Sequence, residues 1–157
     1  MDNAKTIEAL NSLIVINNDR IEGYKTANEE VKETDLKMLF SDLIQTSIQL
    51  KKELTAEVIT LGGEPDKETR TDGKLYRVWM DIKAAFTGYD RKNILDSCVY
   101  GEQVALDAYK DVLNDNHEDT NSMQQQMLNK HYSHLKLDHD KVEQLRDLMF
   151  EEKKLTE

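Results

Sequence analysis

The chain has 157 residues, about the length of one domain, and its 6 Gly and 1 Pro are too few for the frequent turns of a β-sandwich. Its 31 acidic and 21 basic residues give a net charge of −10, which disfavours nucleic acid and anionic membranes as partners. One cysteine, Cys98, excludes an intramolecular disulfide. No long apolar run is present, and we expect no signal peptide. We expect a helical, cytoplasmic protein with a single domain over residues 1–157.

The first part of the chain predicts two long helices, because apolar residues recur there at steps of three and four. The first helix spans residues 4–31, and its apolar stripe is interrupted by one polar residue, Asn17. The second spans residues 34–61, with Ser47 as the polar interruption. A glycine pair at 62–63 supplies the conformation that ends a helix.

A long connection over residues 62–89 follows, and it contains a short amphipathic helix predicted at 72–86. One face of this helix carries an apolar stripe made of Leu75, Trp79, Ile82 and Phe86. Such a stripe has two interpretations, either as a cover for the core or as a face for association with another chain.

The last part of the chain predicts two more long helices, at 90–114 and 121–152. Asp90 can cap the first of them, and the segment Ser122–Gln125 matches a capping box for the second. Their apolar stripes are interrupted by Glu102 and His139.

The lengths of the connections restrict the topology of these helices. Short links favour antiparallel neighbours, whereas the long join between the second and third long helices requires a crossover. We therefore predict an all-α fold, a ferritin-like four-helix bundle with a long crossover that carries the short helix.

Four polar residues at mid-depth are the candidate site: Asn17, Ser47, Glu102 and His139. Because buried polar groups need partners, we expect them to face one another as a buried polar cluster, with Glu102 and His139 as a direct pair. Di-iron bundles hold their metals at this depth, through one Glu on each of two helices and a Glu-x-x-His pair on each of the other two.

This chain departs from that ligand pattern at Asn17, Ser47, Leu50 and Lys136. We therefore expect no cofactor and no catalytic residue. The alternative is iron or manganese bound by Glu102 and His139 with help from Glu22. A surface pair, His131 and His134, is too small a ligand set for more than weak metal binding.

Several segments resemble a bacterial family of small ferritin-like four-helix-bundle proteins of unknown function. The likeness spans about residues 5–150 and is carried by segments 10–24, 61–65 and 79–88 and by the pairs Gly101-Glu102 and His139-Asp140. The resemblance implies the fold with its crossover helix, a distant similarity to rubrerythrin-like di-iron proteins, and no assigned reaction. A stress-related or otherwise accessory role is the expectation at family level.

Our leading functional hypothesis is a non-enzymatic protein that acts by self-association or by binding a protein partner. A symmetric dimer is favoured, with the stripe around Trp79 or the adjoining helix faces as its interface. Because the net charge of −10 opposes association, this dimer should persist or strengthen as salt is raised. The alternative hypothesis is a metal-binding ferritin-like protein with oxidoreductase activity.

Overall fold

The computed structural model describes residues 3–69, 74–88 and 90–155, without the side chains of 74, 75 and 149–155. It confirms the all-α class, because its elements are five helices and the described residues contain no strand. The helices are α1 (Asn3–Glu30), α2 (Thr34–Thr60), α3 (Lys74–Thr87), α4 (Arg91–Asp115) and α5 (Ser122–Leu155). No helix among the described residues is long and apolar enough to cross a membrane.

Glycine ends α2 in the way that the sequence predicts. Gly62 has a φ of +84°, a left-handed conformation that a side chain would disfavour. Its amide donates to the Ile59 carbonyl at 3.0 Å, and the Gly63 amide donates to the Val58 carbonyl at 2.9 Å. These two hydrogen bonds form a Schellman motif, which satisfies the last carbonyls of the helix.

Side chains cap the starts of α4 and α5. The Asp90 carboxylate accepts a hydrogen bond from the Asn93 amide at 3.3 Å, as the sequence predicts. The capping box of α5 lies one residue earlier than predicted: Gln124 N donates to Asn121 Oδ1 at 2.8 Å, and Asn121 N donates to Gln124 Oε1 at 2.9 Å. The box therefore uses an asparagine as its cap, because Ser122 is already the first helical residue.

The four long helices contact one another in a ring. Helix α1 packs mainly on α2, α4 packs mainly on α5, and smaller contacts join α1 to α4 and α2 to α5. Helix α3 lies against α4 and α1. Since only three residues separate α1 from α2, and six separate α4 from α5, the helices of each pair are antiparallel.

The connection after α2 is attached to α1 by two asparagine side chains. Asn11 Nδ2 donates to the Glu64 carbonyl at 3.0 Å, and the Asp66 amide donates to Asn11 Oδ1 at 2.9 Å. Asn18 Nδ2 donates to the Glu68 carbonyl at 3.0 Å. The connection therefore runs along α1 toward α3.

The core consists of two apolar clusters with polar side chains between them. On α1, Leu13 and Ile14 belong to one cluster, and Tyr24 and Ala27 belong to the other. The α1 residues between them include buried polar ones, so the two clusters are separated by a polar layer at mid-depth.

The apolar stripe predicted on the short helix packs inward onto one of these clusters. Ile82 is 2% exposed, and Trp79 and Phe86 are partly buried against the same cluster. The side chain of Leu75 lies outside the described residues. These side chains serve as core cover, and the exposed large apolar residues on the described part of α3 are Tyr76 (39%) and Met80 (47%).

Candidate functional site

A buried arginine of α1 lies at the centre of the polar layer and contacts the other three long helices. Arg20 of α1 makes a two-point hydrogen bond with Glu102 of α4, Nε to Oε2 at 2.9 Å and Nη2 to Oε1 at 2.6 Å. Its Nη1 donates to Ser47 Oγ of α2 at 2.6 Å, and its Nη2 lies 3.5 Å from Asp138 Oδ2 of α5. We call these four residues the arginine network.

The arginine network is closed to solvent. Arg20 is fully buried, and Glu102 and Asp138 are each 2% exposed. Burial is the largest single influence and would lower the pKa of the Arg20 guanidinium. The charges of Glu102, Tyr24 and Asp138 and the hydrogen bonds to Glu102 together more than offset it, so that the pKa lies above the ordinary value. The guanidinium is therefore charged at every physiological pH.

Tyr24 extends the arginine network toward α3. Its hydroxyl donates to Glu102 Oε2 at 3.0 Å, and its ring packs edge-on against Trp79 at a centroid distance of 4.7 Å. Burial, together with the charge of Glu102, raises the pKa of the Tyr24 hydroxyl well above its ordinary value. The phenol consequently stays protonated and acts as a donor.

A second buried chain of hydrogen bonds starts at Asn17. Asn17 Nδ2 donates to the Tyr109 hydroxyl at 3.1 Å, and this hydroxyl lies 3.1 Å from His131 Nδ1. His131 Nε2 lies 3.4 Å from Oε2 of Glu53, a half-exposed carboxylate that can only accept, which favours the imidazole proton on Nε2. In that tautomer, Nδ1 accepts a hydrogen bond from the Tyr109 hydroxyl.

The four residues predicted to form one polar cluster are all buried, but they belong to three different groups of contacts. Ser47 and Glu102 are joined through Arg20, whereas Asn17 belongs to the chain with Tyr109. The direct pair predicted between Glu102 and His139 is not formed. His139 Nδ1 instead lies 3.1 Å from Asp140 Oδ1 on its own helix.

The residues named for the metal alternative do not come together. Glu102 is engaged by Arg20, His139 lies beside Asp140, and Glu22 is exposed on α1 beside α3. Within the described part of the chain, no three His, Cys, Asp or Glu side chains are grouped so that they could hold a metal ion. A di-iron centre does not fit these residues, because a fixed cation already neutralises Glu102.

Two other sequence candidates are buried without a catalytic arrangement. His131 is 1% exposed, so the prediction that it lies on the surface with His134 is wrong. Cys98 is fully buried. Burial, and to a smaller extent the charge of Glu102, raises the pKa of its thiol. A protonated, inaccessible thiol is a small apolar side chain rather than a nucleophile.

Sequence reasoning missed Arg20 and Asp138, although their spacing carries the signal. Arg20 lies three residues after Asn17 and four before Tyr24, on the same stripe of α1. Asp138 lies on a stripe of α5 whose members are nearly fully buried, namely Leu128, His131, Leu135, Asp138 and Val142. Two complementary charges on inward stripes of two helices are the pattern that predicts a buried ion pair.

Comparison with known proteins gives a family but no activity. No curated protein matches the chain. Residues 5–115 match the model of a family that is described as a domain of unknown function, DUF2383. The match includes α1 to α4 and the connection between α2 and α3, and α5 lies beyond it. Since the matched residues make up more than half of its length, the chain belongs to the DUF2383 family.

Proposed function

We propose that this chain is a non-enzymatic protein with a ferritin-like four-helix-bundle fold, and that it acts by self-association as a two-fold dimer in the cytoplasm. In this proposal α3 is the crossover helix, and the arginine network is a structural element that replaces a metal centre. The single buried cysteine agrees with a reducing compartment.

The observation that supports this proposal is the position of the Arg20 guanidinium. It hydrogen-bonds Glu102, the one acid that remains of the di-iron ligand pattern, and Ser47, which stands where that pattern requires a second acid. A metal ion at the same place would meet a fixed positive charge in a medium of low dielectric constant, where like charges repel strongly. The arginine thus supplies the charge that a metal would otherwise supply.

Elemental analysis of protein purified without a tag tests the proposal that the arginine network replaces a metal centre. We expect iron and manganese well below one ion per chain in a fully folded sample. A content of about two ions per chain, as in di-iron bundles, would overturn the proposal. An Arg20→Met sample serves as a comparison, because removal of the guanidinium leaves Glu102 free to accept a cation.

The exposed apolar side chains of α3 support self-association. Tyr76 and Met80 are 39% and 47% exposed and lie at the rim of a groove between α1 and α3. Pairing two copies through this surface would remove both side chains from water on each chain, which is favourable in proportion to the apolar area buried. Two-fold symmetry would present the same surface twice.

Sedimentation equilibrium at low and at high salt tests the dimer. We expect a dimer that strengthens as salt is raised, because salt screens the repulsion between two chains of net charge −10. The variant Met80→Gln should shift the equilibrium toward monomer, whereas Met38→Gln, which changes an exposed methionine of α2, should not. A monomer under every condition would contradict the proposed interface.

A further inference from the structure

A pocket of about 280 Å³ lies between α2 and α5. This volume is just below the range of sites for drug-sized molecules, about 300–1,000 Å³, so it suits a molecule of a few carbon atoms. The described side chains that line it are all polar, whereas most small-molecule sites have a mainly apolar lining. We call it the α2–α5 pocket.

Two buried residues, Asp138 of α5 and Thr46 of α2, form the floor of the α2–α5 pocket. Asp138 is 2% exposed, and in the described part of the chain neither oxygen of its carboxylate accepts a hydrogen bond. The Thr46 hydroxyl donates its proton to the Asp42 carbonyl at 3.2 Å, so its oxygen can only accept a further hydrogen bond. The floor therefore offers acceptors and no donor.

The ion pair between Arg20 and Asp138 does not fill these acceptor positions. Arg20 Nη2 lies 3.5 Å from Asp138 Oδ2, while the short hydrogen bonds of the guanidinium go to Glu102 and Ser47. The arginine thus reduces the negative charge of Asp138 but leaves the hydrogen-bonding capacity of the carboxylate unused. Buried acceptors without donors are costly, so a molecule bound on this floor is selected by its donors rather than by its charge.

The rim of the α2–α5 pocket favours a neutral molecule. Asp42 of α2 and Lys141 of α5 are both exposed and carry opposite charges. The other exposed groups of the rim, Gln45, Gln49 and His134, have side chains that both donate and accept. Because the rim contains both signs of charge and both kinds of hydrogen-bonding group, it does not select an ion.

We propose that the α2–α5 pocket binds a short polyol, a neutral molecule with hydroxyl groups on adjacent carbon atoms. Two adjacent hydroxyls can donate to the two oxygens of the Asp138 carboxylate, and each can also accept a hydrogen bond from the rim. This site is separate from the proposed dimer interface, because α3 lies against α1 and α4 rather than α2 and α5.

Titration with erythritol, followed by the amide resonances of the protein in NMR spectra, tests the pocket. We expect saturable shifts at residues 42–49 and 134–141, with a dissociation constant on the order of 1 mM, because each hydrogen bond adds little net affinity. Butane-1,4-diol has a chain of the same length without adjacent hydroxyls and should bind about tenfold more weakly. Shifts that do not saturate, or equal affinity for the two molecules, would overturn the proposal.

A matched pair of threonine variants locates the binding. Thr46→Val replaces a hydroxyl of the floor by a methyl group, whereas Thr60→Val makes the same change at an exposed position of α2 that does not line the pocket. Both hydroxyls donate to the carbonyl four residues earlier, so both variants lose the same local hydrogen bond. We expect about fivefold weaker binding of erythritol for Thr46→Val and no change for Thr60→Val. Equal effects of the two variants would overturn the site.

Asp138→Asn tests the role of the carboxylate. The amide keeps only one acceptor oxygen, so erythritol should bind at least about tenfold more weakly. A folded Asp138→Asn protein that binds erythritol like the parent would contradict the proposal. Asp138 also belongs to the arginine network, and if this variant does not fold, the threonine pair decides. Sedimentation of the same samples tests the dimer separately.

Discussion

Arg20 shows at the scale of one residue how a buried charge can specify a fold. A buried ion pair contributes little net stability compared with well-packed apolar residues, but the loss of one partner leaves an uncompensated charge in the core. The arginine network has members on α1, α2, α4 and α5. A shift of α1, α2 or α4 along its axis would break a hydrogen bond, and a shift of α5 would break the ion pair with Asp138, so the network fixes the register of all four helices.

A double-mutant cycle on the Arg20–Glu102 pair tests this role. Arg20→Met and Glu102→Leu should each lower the free energy of unfolding by about 3–5 kcal/mol. The first leaves the buried carboxylates of Glu102 and Asp138 without their cation, and the second leaves the buried guanidinium with Asp138 as its only carboxylate partner. The double variant should be more stable than either single variant. Urea unfolding followed by circular dichroism measures the stability of the parent, the two single variants and the double variant. If the stability losses of the single variants simply added in the double variant, Arg20 and Glu102 would not be coupled.

Because the His131 imidazole is buried, we expect the protein to lose stability in mild acid. Burial lowers its pKa, and the neighbouring Glu53 carboxylate opposes this only in part, while His134 and Lys130 add to the lowering. The unfolded imidazole titrates near about 6.5. Below that pH the unfolded chain binds more protons than the folded chain, so the free energy of unfolding should fall as the pH falls.

Urea unfolding between neutral pH and mild acid measures this effect. The variant His131→Asn keeps an acceptor near the Tyr109 hydroxyl and removes the titrating group, so its stability should depend less on pH over that range. His117→Asn, a change at an exposed histidine, is the matched control and should keep the pH dependence of the parent. If the free energy of unfolding of the parent protein did not change between neutral pH and mild acid, the conclusion that His131 is buried in its neutral form would be wrong.

The polar layer was only half predictable from the sequence. The interruptions of apolar stripes at Asn17, Ser47 and Glu102 are visible in the sequence, and these side chains are buried in the structure. Their partners were predicted wrongly. Glu102 was paired with His139, and neither Arg20 nor Asp138 was considered, because charged residues are usually solvated.

Helix α3 depends on a single glycine for its position on α1. Substitution Gly23→Ala places a methyl group 2.0 Å from an atom of Trp79, so the indole, and with it α3, must move. We expect a loss of about 1–3 kcal/mol in the free energy of unfolding and a change in tryptophan emission. Gly88→Ala is the matched control, because a Cβ there meets nothing within 4 Å. Equal, small effects of the two substitutions would contradict this packing.

The helices themselves were more predictable than their contacts. Glycine conformations and caps act over a few residues, so the end of α2 at Gly62 and the start of α4 after Asp90 follow from local sequence. The inward orientation of Trp79 was left open by the sequence. It depends on Gly23, which is distant along the chain, and helical periodicity alone does not show which partner an apolar face finds.

At the scale of the whole molecule, α5 completes the core that the family-matched helices begin. It contributes Leu128 and Leu135 to one apolar cluster and Val142 to the other. It also supplies His131 to the chain from Asn17 and Asp138 to the arginine network. The matched region therefore contains only part of the buried surface of this fold.

Removal of α5 should abolish cooperative folding. Each of the three buried apolar side chains contributes about 1.5–3 kcal/mol, and their sum is comparable to the whole stability of an ordinary domain, about 5–15 kcal/mol. A chain that ends at residue 120 should retain helical circular dichroism in part but unfold without a cooperative transition and bind a hydrophobic dye.

A peptide of residues 121–155 added in trans should restore the cooperative transition. A chain that ends at residue 148 is the control, because it keeps all the described buried side chains of α5, and it should unfold cooperatively. Cooperative unfolding of the chain that ends at 120 would show that α1 to α4 form a complete core without α5.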